Sequence, residues 1–121
     1  MLTIAAHAPR HETPNAVMRT LAAPSLGTSE LAVWEVAMRA GQRGPEHGVD
    51  REQVWTVLEG ELRVHAGGEA LVVRAGDTLR LPPDAPRQIA AITDARAIVA
   101  SPAGPRVTTA TGGSRPLPWA A

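Results

Sequence analysis

A chain of 121 residues is long enough for one domain with a sizeable core and too short for two. Its 12 basic residues, all Arg, balance 12 acidic ones, and no basic run marks a phosphate backbone or an anionic bilayer, so neither nucleic acid nor membrane is an expected partner. Cysteine is absent, which removes disulfides, thiolate metal sites and a Cys nucleophile; Phe and Tyr are absent too, leaving Trp34, Trp55 and Trp119 as the aromatic side chains.

The opening stretch, MLTIAAHAPRHETP, has a short apolar run with no basic segment before it, so a secretory signal is not supported and a cytoplasmic location is expected. His7 and His11, with Glu12, mimic an i, i+4 metal pair, but Pro9 and Pro14 oppose the helix that would align them. This head, residues 1–14, reads as an irregular arm. From there, short apolar segments recur at roughly ten-residue intervals with Gly, Pro or Asp between them, the pattern of an all-β sandwich or barrel. Strands are predicted over 17–21, 31–38, 53–58, 62–65, 70–73, 78–81, 87–92, 96–100 and 107–109. Gly67 and Gly68 supply the positive φ angles of a tight hairpin between two of them, and further turns fall at Ala75-Gly76-Asp77 and Pro82-Pro83-Asp84. The tail, 111–121, reads as a second irregular arm, with Trp119 expected to dock on the barrel or on a second subunit. One domain is expected over 1–121, its barrel spanning about 15–110.

Two spaced patterns carry the chemistry. The first is Gly41-x5-His47-x-Val49-x3-Gln53-x6-Gly60, and the second is Gly76-x5-Pro82-x-Asp84-x2-Arg87. Together with Val57-Leu58-Glu59-Gly60-Glu61-Leu62, they resemble the two motifs of small bacterial single-domain cupins of the conserved-barrel type, over residues 15–104. The resemblance implies one β-jelly-roll barrel, a homodimer, and a mouth where inward side chains of the two motifs meet. It also exposes departures. Val49 stands where the family has its second ligand His, Arg87 where it has the last, and Asp84 where Gly is usual.

Residues two apart on a strand share a face, which groups His47, Val49, Gln53 and Trp55 on one motif, provided the family's hairpin geometry holds between 49 and 53, and Arg87 with Ile89 on the other; the resemblance implies that the two sets face each other across the barrel mouth. Met38, Val36 and Trp34 share the parity that would complete an apolar wall. A divalent transition metal wants three or four protein ligands, and His47 with Gln53 are two; Arg87 adds a fixed cation near the ion's place. No metal or other cofactor is therefore expected, with Glu46, Asp50 or Glu52 as substitute ligands if one is held.

Arg87 instead offers a fork for a carboxylate or phosphate, unless it pairs with Asp84 or Asp94 at the surface. The leading expectation is a cavity for a small anionic organic ligand, bound by His47, Val49, Gln53, Trp55, Arg87, Ile89 and Met38. Within it His47 could serve as general base or acid and Arg87 as anion stabiliser, chemistry suited to an isomerase, cyclase or lyase. Two other readings stay open: a mononuclear metal-dependent dioxygenase or isomerase with a reduced ligand set, and a non-catalytic sensor or structural dimer. No nucleophile-elbow serine or phosphate-cradling loop is present.

Overall fold

The computed structural model describes residues 1–109 and 111–121. In chain order its strands are β1 (Arg10–Glu12), β2 (Val17–Ala22), β3 (Leu31–Met38), β4 (Gly48–Val49), β5 (Gln53–Glu59), β6 (Glu61–Ala66), β7 (Glu69–Arg74), β8 (Thr78–Leu81), β9 (Arg87–Ala91), β10 (Ala95–Pro102), β11 (Arg106–Thr108) and β12 (Ser114–Pro116). Among the described residues the only helical turns are three short 3-10 segments, Ala5–His7, Pro24–Leu26 and Pro118–Ala120, and no helix is long and apolar enough to cross a membrane.

One layer is a six-stranded antiparallel sheet in the order β1-β2-β3-β10-β5-β8. The other is made of β12-β11-β4 and β9-β6-β7, which single bridges at His47↔Arg87 and Arg43↔Ala90 stitch together. Two such sheets face to face form an all-β barrel, because each hides the apolar side of its pleat against the other. Along β3 the alternation is strict: Ala32, Trp34, Val36 and Met38 are buried, while Val33, Glu35 and Ala37 lie on the outer face. The same parity runs through β10, where Ala95, Ala97, Val99 and Ser101 point inward. Val99 sits directly between Trp34 and Trp55 on the neighbouring strands, a small side chain separating two large ones so that the layer fills.

Strands appear over all the expected segments, most with ends shifted by a residue or two. The predicted Gly67-Gly68 hairpin closes β6 onto β7 with φ of 59° and 76° at the two glycines. Gly60 is fixed more rigidly: at φ 78° a Cβ there would overlap the carbonyl oxygen of Asp94. The arms hold more order than an irregular reading implies. β1 adds to the edge of the large sheet against β2, and β12 pairs with β11, so both ends of the chain fold back over the barrel.

The two motifs are related differently from a simple hairpin. β4 and β5 belong to opposite sheets, and residues 50–52 carry the chain across, with Asp50 accepting a 2.7 Å hydrogen bond from the Arg106 amide. His47 and Val49 therefore face Gln53 and Trp55 from across the barrel.

Candidate functional site

Between the sheets lies a cavity of about 600 Å³. Its walls include His47, Val49, Gln53, Trp55, Arg87, Ile89 and Met38, so every side chain expected at the mouth reaches one space. Trp34, Met18 and Val36 line it as well. All three tryptophans of the chain border this cavity, the third being Trp119 of the tail.

Arg87 is 1% exposed, which settles its orientation: it lies inside, not against Asp84 or Asp94 at the surface. Its Nε donates to the Ala85 carbonyl at 2.8 Å, Nη2 to the Pro82 carbonyl at 3.1 Å and Nη1 to Gln53 Oε1 at 3.3 Å. The first two contacts clamp the loop that crosses from β8 to β9. That loop is itself strained, since Asp84 adopts φ 64°, the left-handed conformation for which glycine is the usual choice. Among the described residues no carboxylate pairs with Arg87. Burial pulls its pKa down, and the more distant charge of Asp84 partly opposes this. It is a cation compensated chiefly by neutral oxygens.

Gln53, 3% exposed, uses its side-chain oxygen twice, accepting from Arg87 and, at 3.0 Å, from Trp55 Nε1. Both partners can only donate, so the amide orientation is dictated by chemistry, and its NH2 is the end left for the cavity. His47 is half-buried. Its Nδ1 lies 2.9 Å from the Pro45 carbonyl, a contact that requires the proton on Nδ1 and leaves Nε2 as the free lone pair. Desolvation lowers the His47 pKa, with Arg87 and Arg115 pushing the same way, while the Pro45 contact acts in opposition.

Of the family's four ligand positions, only His47 presents an uncommitted donor atom. Val49 has none, Gln53 Oε1 is engaged, and Arg87 is a cation. Glu46 and Glu52 are exposed, Asp50 is tied to the Arg106 amide, and none of the three lines the cavity. Among the described residues no three His, Cys, Asp or Glu side chains come together.

The tail supplies what strand parity in the motifs did not reveal. Arg115, Leu117 and Trp119 line the cavity, and Trp119 is anchored by its carbonyl, which accepts from Thr20 Oγ1 at 2.7 Å, and by an edge-on contact with His11 at 6.4 Å. The tail thus docks on the barrel of its own chain. The one advance signal was the expense of leaving a tryptophan in water; for Arg115 there was none until the strand pairing of the tail was known.

No curated protein sequence matches the chain. Among solved structures it is similar to an RmlC-like cupin from Shewanella frigidimarina, at 22% identity and a TM-score of 0.74 over 84% of this chain and 88% of that one. KdgF from Halomonas sp. is similar at 20% identity and a TM-score of 0.74, over 84% and 92% of the two chains. Salicylate 1,2-dioxygenase from Pseudoaminobacter salicylatoxidans matches at 23% identity and a TM-score of 0.68, with 77% of this chain aligned to 26% of that larger one. The model of the cupin domain matches residues 34–101, a span that holds both motifs and the paired His47 and Arg87, and the chain belongs to the cupin family.

Proposed function

We propose that the chain binds a small anionic organic molecule in its barrel without a resident divalent metal, and that His47 can act on the bound molecule as an acid or base. The observation that carries this is Arg87: a buried cation, with no carboxylate partner among the described residues, on the wall of a cavity large enough for a metabolite. Burying an unpaired charge is costly, and an anion entering the cavity offsets part of that cost. The Gln53 NH2 gives it a hydrogen-bond donor, and the tryptophans with Met38 give its carbon skeleton an apolar wall.

The same arrangement disfavours a metal. An ion held by His47 alone, beside a guanidinium fixed by three hydrogen bonds, has too few donors and a repelling neighbour. What His47 offers instead is a neutral imidazole whose Nε2 can take a proton from carbon or oxygen of the ligand. The negative charge left on the ligand faces the Arg87 field, and return of that proton to a second position completes an isomerisation.

Calorimetric titration with small carboxylates and their neutral amides tests the binding claim, and elemental analysis tests the metal claim. Equal affinity for carboxylate and amide, or close to one equivalent of a transition metal lost in His47→Ala, would overturn it. We further propose a homodimer, and light scattering that returns the mass of one chain would refute that.

A further inference from the structure

The tail is drawn back over the barrel at Gly112 and Gly113, where the Thr109 amide donates to the Gly113 carbonyl at 3.1 Å and the Gly112 amide to the Thr109 carbonyl at 2.9 Å. The returning strand puts Arg115 directly opposite Val107, and Val107 is in turn directly opposite Val49. Residues opposite one another in adjacent strands project to the same face. Val49 and Val107 are both buried and both line the cavity, so Arg115 extends one row of side chains from the interior outward to the rim.

Arg115 differs from Arg87 in access. The Arg87 guanidinium is already engaged by Gln53 and by the carbonyls of Pro82 and Ala85, whereas Arg115 is exposed and makes no ion pair or side-chain hydrogen bond among the described residues. The one acidic side chain on the cavity, Glu12, already holds Arg10 at 2.6 Å. Arg115 also lies near enough to depress the His47 pKa, so its charge is felt at the imidazole.

We infer that Arg115 is the residue that grips the ligand's anionic group directly, and that the ligand is an amphiphilic carboxylate: its carboxylate held at the rim by Arg115, its apolar body against Trp34, Trp55, Trp119 and Met38, and its far end at His47. Arg87 contributes its charge from the cavity wall while it fixes the Gln53 amide and the crossover loop. This inference rests on the proposal that the barrel takes an anion. It adds which group takes it and what shape of molecule fits.

The test is calorimetric titration of the full chain with cyclohexanecarboxylate, cyclohexanecarboxamide and cyclohexyl phosphate. Arg115→Gln is expected to weaken carboxylate binding about tenfold while leaving carboxamide binding unchanged, and Arg115→Lys to restore part of the loss. Arg63→Gln, an equal charge change at an exposed position of β6, is expected to alter neither. A carboxylate affinity that survives Arg115→Gln overturns the inference and leaves the anion-binding proposal standing. Failure of the wild-type chain to prefer the carboxylate over the carboxamide overturns both. A marked preference for the phosphate ester overturns the choice of a carboxylate. Thermal melts of each variant separate loss of contact from loss of fold, and a merely structural role for Arg115 would weaken the carboxylate and the carboxamide alike.

Discussion

His47 and Arg87 exchange both of their backbone hydrogen bonds, His47 N to Arg87 O at 3.0 Å and Arg87 N to His47 O at 2.8 Å. They are a directly opposed antiparallel pair, so their side chains stand as neighbours on one face. The main chain itself therefore holds a permanent cation beside the imidazole. It does so at the bridge that joins the two halves of the smaller layer.

The pairing has a pH signature. The His47 pKa is lowered from 6.5 by burial and by the two arginines, so below about 6.5 the unfolded chain takes up a proton that the folded chain still refuses. Stability should fall as pH drops from there to the lowered folded value, and this component should be missing in His47→Gln. Urea midpoints at pH 7.5 and 5.5 measure it; an identical decline in both proteins would contradict the assignment. Arg115→Gln should raise the His47 pKa, read from the imidazole proton resonances.

Restoring the family's ligand set should restore an ion. Val49→His, Gln53→Glu and Arg87→His together replace an empty position, an engaged amide and a cation with three donors. Bound transition metal should rise from under a tenth of an equivalent to about one per chain by elemental analysis. A wild-type chain that already carries a full equivalent contradicts the premise.

Gln53→Glu alone should behave differently. A carboxylate at 53 can still accept from Trp55 and Arg87, and it neutralises the Arg87 charge within the wall. Carboxylate affinity should drop by about tenfold, with little change in the affinity for a neutral amide. If both ligands weaken equally, the change has altered shape and not charge.

The crossover loop predicts an order of stabilities. Asp84 sits at φ 64°, so Asp84→Ala should be less stable than Asp84→Gly by about 1 kcal/mol, the usual difference for a left-handed residue. Val99 offers a second check. Because Val99 is fully buried between Trp34 and Trp55, Val99→Leu should cost about 1–3 kcal/mol in urea unfolding.

What the sequence disclosed depended on how far apart the deciding residues lie. The long strands announce themselves because alternation over 31–38 or 53–59 is a local signal, and turns such as Gly67-Gly68 are local as well. β1, β4 and β12 are two or three residues long, too short for any period to show, and β12 ends on a proline. Motif spacing brought His47, Gln53 and Arg87 to one place but could not say that Gln53 would spend its oxygen on Arg87 and Trp55, since that depends on rotamers across the two sheets. Arg115 was least legible, because it reaches the cavity through pairing between the tail and a strand whose other neighbour is β4.

With no tyrosine or phenylalanine in the chain and all three tryptophans bordering one cavity, absorption and emission in the near ultraviolet come entirely from the walls of that space. The protein is in effect its own optical probe. Quenching, a spectral shift or a change in near-ultraviolet dichroism reports on occupancy directly, so a library of unlabelled metabolites can be screened against the native chain with no ligand chosen in advance.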